Sequence, residues 1–471
     1  MHTLAQLTSG ELTHTGLKRL QIAEQLTQFP LEILQLASTL EVLDLSNNRL
    51  SSLPDEFAQL TELKILFLSF NCFSEIPAII AQCPKLEMIG FKANQITYAA
   101  ENCFPLATRW LILTDNKLTQ LPDSIGDLSR LKKFALAGNQ LTTLPSSMQQ
   151  CQELELLRVS ANQLDVIPQW LLSMPKLAWL AFSGNPATDR QQTHNNFCHA
   201  KLEELQLGDH LGQGASGVIY QATWRQPSVN NAQHQHKETA AAKDKLTAMT
   251  DKEVAVKMFR GAVTSDGYPS DELHCCLSAG HHPNLIKVLA QVTQPGQLGL
   301  VMELIPAHFY NLGLPPSLIT CTRDTFSTDM DISMAHIIKV MTSMANALNH
   351  LHHNQVSHGD IYAHNTMIDT QANMLFGDFG AASDLTTLTP TQAQLMQAIE
   401  VRAWGNMLED LLQQQLNLGY ISTTDIELTQ PEQTASTTAQ KLMCLVLQCQ
   451  QDNAFARPTF TALETQLNQL G

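Results

Sequence analysis

The apolar positions of the first two hundred residues keep one beat. Asn48, Asn71, Asn94, Asn116, Asn139, Asn162 and Asn185 recur every 22 or 23 residues, and each follows apolar side chains three and five positions earlier. One unit reads Leu40, Leu43, Leu45, Asn48, Leu50, Leu53, Pro54, which predicts a short strand, a tight turn and a convex return segment. No unit can bury its own leucines; each must be covered by the next, and the asparagine amides can satisfy backbone groups that stacking removes from water. The stretch Leu17 to Pro30 is one residue short and reads as a degenerate cap. Side chains between the core leucines face the concave side, where Ile65, Phe67, Phe70, Met88, Trp110, Ile112 and Trp179 form an apolar stripe. Such a stripe is costly to leave in water, so either a protein partner or the rest of the chain is expected to cover it.

The pattern stops at residues 187–204, a polar segment without the asparagine beat, which reads as a linker between one domain over 1–186 and another over 205–471. The second domain carries a different set of signals. Leu211-Gly212-Gln213-Gly214-Ala215-Ser216-Gly217-Val218-Ile219 places glycines between two predicted strands, the spacing that lets a backbone fold over phosphates. Val254-Ala255-Val256-Lys257 is an alternating strand ending on a lysine, and Glu272 follows in a predicted helix. His358-Gly359-Asp360 precedes Asn365, and Asp378-Phe379-Gly380 sits behind the strand-like Met374-Leu375-Phe376. Each motif alone is a common turn or solvated face; their conjunction in this order points to a nucleotide site.

Residues 17–186 resemble the leucine-rich-repeat family, and residues 205–465 resemble the eukaryotic-type protein kinases, including a hinge-like Leu300-Val301-Met302-Glu303-Leu304 and a late Arg457-Pro458-Thr459-Phe460. The resemblance implies an α/β leucine-rich-repeat solenoid followed by an α+β bilobal protein-kinase-like domain. It implies ATP and Mg2+ as cofactors, with Asp360 taking or orienting the acceptor hydroxyl proton and Asn365 and Asp378 holding the metal. Lys257 would contact the nearer phosphates and Glu272 would hold that lysine. Leu211, Gly212, Gly214 and Gly217 would cover the phosphates, Ile219 and Ala255 would enclose the adenine, and Met302 and Glu303 would line its back pocket and hinge. His358, Phe379 and Cys276 match positions of an internal apolar spine.

The sequence departs from that family in several places. Gly359 stands where an arginine is common, and Tyr362 and His364 stand where serine/threonine or tyrosine kinases carry a lysine or an arginine, so a charge that steadies the moving phosphate is missing. The segment from Gly380 to Glu400 is short and lacks Ala-Pro-Glu, so the platform for a protein substrate is reduced; Arg457 would then lack its usual glutamate unless Glu400 or another carboxylate substitutes. Three readings follow: a protein kinase acting on serine or threonine, a nucleotide-binding pseudokinase scaffold, and a small-molecule kinase. His281 and His282 precede Pro283-Asn284-Leu285-Ile286 and read as part of a structural loop, and Arg225 to Lys245 reads as an insertion between strands.

Bulk properties narrow the setting. With 28 basic against 44 acidic side chains the net charge is −16, a poor match for nucleic acid. The ten cysteines form no CxxC pair and are expected to be free thiols. Neither a leader segment nor an apolar run of about 18 residues is seen, so no membrane span and a cytoplasmic location are expected.

Overall fold

A computed structural model describes residues 2–13, 15–188, 198–214, 216–227, 249–260, 263–264, 266–294, 296–416 and 438–470. The asparagine beat becomes a parallel sheet of eight three-residue strands, running from Arg19–Gln21 through Val42–Asp44, Ile65–Phe67, Met88–Gly90, Trp110–Ile112, Lys133–Ala135 and Leu156–Arg158 to Trp179–Ala181. The predicted cap thus supplies the first strand. The central residue of every strand, from Leu20 and Leu43 to Leu157 and Leu180, is wholly buried. The asparagines do what their amides allow: Asn71 accepts from the Leu50 amide at 2.9 Å and donates to the carbonyls of Leu45 and Leu68 at 2.9 and 3.1 Å, tying two adjacent repeats together. The residue before each asparagine, such as Asn47, Phe70 and Asp115, has left-handed backbone, which reverses the chain after the strand. Phe70 therefore sits in a turn and is exposed.

The second domain opens with an antiparallel sheet that includes Leu205–Gln213, Gly217–Pro227, Met249–Phe259, Gln297–Glu303 and Val288–Gln294. His199–Lys201, inside the segment read as a linker, pairs in parallel with Val288–Gln294 as an edge strand. Beneath this sheet lies the helix Pro269–Ala279; the helices Met334–His353, Pro390–Leu416, Thr438–Cys449 and Phe460–Asn468 make up the larger lobe. The Arg225–Lys245 insertion lies outside the described residues from residue 228 on.

The two domains share their cores. Leu385, Leu395, Met396, Ile399 and Ala454 of the helical lobe are buried in one cluster with the repeat leucines, while Leu156, Ala178 and Trp179 of the repeats are buried among the helical-lobe residues. Side chains this large contribute on the order of 10 kcal/mol in total when removed from water, an upper figure because the unfolded chain already buries some of that surface. Polar contacts cross the same boundary: Trp179 Nε1 donates to the Ile361 carbonyl at 2.9 Å, Ser183 Oγ to Ala382 at 2.8 Å, and Gln392 Nε2 to Ile167 at 2.8 Å. The short segment after Phe379 is therefore packed against the solenoid.

Candidate active site

The lysine strand pairs residue for residue with its neighbours, so Lys257 stands opposite Ile219 on one side and Leu300 on the other, with Ala255 opposite Met302 and Val254 opposite Glu303. That register places the expected adenine residues in one cleft mouth. Leu211 is exposed at its edge, and the glycine loop closes on itself through Gly214 N to Gly217 O at 3.0 Å. Gly217 has no room for a side chain, because a Cβ there would meet the Met258 backbone.

Lys257 Nζ donates to Glu272 Oε1 and lies 3.9 Å from Asp378 Oδ1. Burial opposes the charge on Lys257, but the carboxylates of Glu272 and Asp378 outweigh it and raise its pKa, so the lysine stays a cation. Asp378 has left-handed backbone at φ 63° and is the most exposed of the three. Asn365 Nδ2 donates to Asp360 Oδ2 at 2.7 Å and to the Asp360 carbonyl at 3.0 Å. The amide nitrogen of Asn365 is thereby committed inward, and among the described residues its oxygen accepts no bond. An amide oxygen and an exposed carboxylate form an oxygen donor set that suits Mg2+ completed by phosphate oxygens. Asp378 also lies near enough to Asp360 to raise its pKa, so Lys257, Glu272, Asp360, Asn365 and Asp378 are brought together. Behind them His358 stacks on Phe376 at 4.1 Å between centroids and lies 5.0 Å from Phe379, in the same buried cluster as Cys276.

The departures from the kinase pattern find physical causes. Gly359 has φ 74°, and a Cβ there would meet the Leu180 carbonyl of the repeats at 3.0 Å as well as the Ala381 backbone, so no arginine fits. Glu400 accepts the amides of His358 and Gly359 at 2.6 and 2.7 Å and pairs with His352 at 2.5 Å. Arg457 finds no carboxylate partner in Glu400; it donates instead to three carbonyls, Gln451 at 2.8 Å, Ala398 at 2.9 Å and Pro175 of the repeats at 2.7 Å. Burial, aided by Arg402 and only partly opposed by Asp452, lowers its pKa to about 9. His364 pairs with Asp324 at 2.6 Å; although burial works against it, that carboxylate raises the imidazole pKa. His282 hydrogen-bonds Asn346 at 2.7 Å and accepts from the Asn284 amide, a loop-holding role.

Sequence reasoning missed the most intimate neighbour of Asp360. Arg158, on a concave repeat strand, donates through Nη2 to Asp360 Oδ1, through Nη1 to the Gly359 carbonyl at 3.0 Å and through Nε to Asp266 Oδ1 at 2.9 Å. Burial pushes the Asp360 carboxyl above its ordinary value, Arg158 pulls it back, and Asp266 adds to the rise. The signal lay in the concave positions: Lys133 and Arg158 are the only cations on the last four strands. Trp179, in the stripe expected to be covered by a partner or by the rest of the chain, is covered by the chain itself, its ring buried and stacked on Tyr362 at 4.6 Å between centroids. Trp110 carries Lys133 Nζ 4.1 Å above its ring.

A cleft between two lobes with a paired lysine and a converging aspartate, asparagine and aspartate defines a protein-kinase-type domain. Residues 205–407 match the family model of protein tyrosine and serine/threonine kinases, and residues 38–96 and 107–164 match that of leucine-rich repeats. The chain thus carries a stretch that matches leucine-rich repeats followed by a region that matches the protein kinase model. A probable serine/threonine-protein kinase of Dictyostelium discoideum is 23% identical over 60% of this chain and 29% of its own length. A putative serine/threonine-protein kinase/receptor of Acanthamoeba polyphaga mimivirus is 24% identical over 57% of this chain and 16% of its own. The matched region thus spans less than a third of either relative. Among solved structures, a leucine-rich-repeat protein of Leptospira interrogans aligns at 32% identity over 35% of this chain and 43% of its own, with a TM-score of 0.32. Among the described residues no helix is long and apolar enough to cross a membrane.

Proposed function

We propose that the chain transfers the terminal phosphoryl group of ATP to a protein hydroxyl, on serine or threonine, with the repeats contributing to partner or substrate choice. The observation that carries the reading is the convergence of Lys257, Asp378 and the Asp360–Asn365 pair, drawn from three separate parts of the chain: Asp378 lies 3.9 Å from Lys257 and near enough to Asp360 to raise its pKa, and Asn365 holds Asp360. In this reading Lys257, held by Glu272, meets the phosphates, and Asp360 aims the acceptor hydroxyl. Asn365 and Asp378 would hold Mg2+, which when bound neutralises phosphate charge. The carboxylate of Asp360 has acceptor sites left after Arg158 and Asn365 are served, because two oxygens carry about four lone-pair positions. Ile65, Phe67, Trp110 and Ile112, half-buried on the concave strands, are the partner surface in this reading, Trp179 being taken up within the chain. The free cysteines fit a reducing, ATP-supplied compartment, the cytoplasm.

Incubation with Mg2+ and labelled ATP tests the reading on the full chain with casein as acceptor. Label on casein or on the chain itself, removed by Asp360→Asn while nucleotide still binds, is the expected result. Binding of nucleotide with no label in the unmodified chain would instead identify a scaffold.

A further inference from the structure

We infer that Arg158, a residue of the repeat domain, is a working part of the phosphotransfer site: it holds Asp360 in place and supplies the positive charge that the catalytic loop lacks. The inference rests on the phosphotransfer reading. Between His358 and Asn365 the loop contains no lysine or arginine, and His364 is committed to Asp324. The guanidinium that reaches Asp360 comes from some two hundred residues earlier in the chain.

Its geometry is that of a fixed fitting. Three of the five N–H groups of Arg158 are used, one each on Asp266, the Gly359 carbonyl and Asp360, so the plane of the guanidinium is set from three directions. Two N–H groups remain beside the carboxylate that faces the acceptor oxygen. In the transfer that oxygen forms a bond to the terminal phosphorus, the bond from phosphorus to the bridging oxygen breaks, ADP leaves with its electron pair, and the hydroxyl proton passes to Asp360. Negative charge is spread over the equatorial oxygens of the moving group as it passes the acceptor held by Asp360, and a preorganised cation there stabilises it.

The same contact could be an inhibitory clamp that lifts away. The shared cores argue against it. The strand that carries Arg158 cannot lift away without separating Leu156 and Trp179, in neighbouring concave positions, from the helical lobe that buries them. Gly359 points the same way, since its backbone is shaped around the Leu180 carbonyl of the last repeat strand. A contact that the loop backbone is built to receive belongs to the resting architecture of the site.

Turnover, the ATP KM and the ADP dissociation constant of the full chain are to be measured for Arg158→Ala, Arg158→Gln and Arg158→Lys, with Mg2+, ATP and casein. Arg158→Ala and Arg158→Gln are expected to lower turnover by about a hundredfold while KM for ATP and ADP affinity change by less than about threefold. Arg158→Lys, which keeps the charge but not the fork, is expected to recover about tenfold. Equal or faster turnover in Arg158→Ala overturns the inference and makes the contact a clamp. Loss of ADP binding along with turnover also overturns it, by showing a purely structural role, and no recovery in the lysine variant removes the charge argument. An unmodified chain that binds ADP but never labels casein fails at the earlier step, the phosphotransfer reading itself.

Discussion

Trp179 and Tyr362 lie ring on ring, 4.6 Å between centroids and 3° from parallel, one from the last repeat strand and the other two residues after Asp360. The stack joins the solenoid to the catalytic loop at the point where the loop's chemistry departs from its family. With the Trp179 Nε1 bond to Ile361, it fixes the loop from outside. Trp179→Ala is expected to cost about 3–5 kcal/mol of stability, as for other fully buried tryptophans, and Trp179→Phe markedly less. Denaturant unfolding of the full chain checks both; equal midpoints for the alanine variant and the parent would show that the domains do not depend on this contact.

Gly359→Ala is expected to destabilise the protein by a few kcal/mol and to lower turnover. The residue has φ 74°, and an added Cβ would press on the Leu180 and Ala381 carbonyls. Gly16→Ala is the control, because that glycine also has positive φ but open space around it. A similar loss in both variants would attribute the cost to backbone conformation alone.

Lys257→Met is expected to weaken ATP binding at least tenfold, because in the proposed reading the lysine, held by Glu272 and close to Asp378, meets the phosphates. Asp360→Asn is expected to leave ATP binding within about threefold and to remove transfer. Isothermal titration with ATP and Mg2+ separates the two; a binding loss of the same size in both would mean that the residues do not divide the work this way.

Asp271 gives a pH dependence of stability. Burial raises its carboxyl from 3.8 to about 6, and its Oδ2 has no hydrogen-bond partner among the described residues. The folded protein therefore binds this proton more tightly than the unfolded chain. The stabilisation is fully present below the unfolded value and is lost as pH rises through about 6, a span worth about 2–3 kcal/mol. Asp271→Asn is expected to remove this slope and to raise the melting temperature at pH 7.5. A parent whose stability does not fall between pH 4 and 6.5 relative to the variant would contradict it.

Much of the candidate site was legible along the chain because phosphate chemistry uses few residue types at fixed spacing. Lys257, Glu272, Asp360, Asn365 and Asp378 could be named from local motifs, whereas the strand register that sets Ala255 opposite Met302 appears only in the fold. Arg158 could not be placed at Asp360, since nothing near either residue in sequence refers to the other. Its only mark was a cation among apolar concave positions, which reads equally well as a solvated face. The fate of Trp179 was open for the same reason: an apolar stripe shows that something must cover it, while the identity of the cover is a matter of shape.

Repetition alone settled that there would be a solenoid, and the order of the later motifs, through their resemblance to protein kinases, pointed to a second domain of that kind, because hydrogen bonding and hydrophobic periodicity act over a few residues and leave their pattern in the chain. How the two halves meet was decided by packing. The close fit of Leu180 against Gly359, the ring stack of Trp179 on Tyr362 and the reach of Arg158 to Asp360 depend on surfaces that exist only once both domains are folded, and no local rule encodes contacts between residues two hundred positions apart.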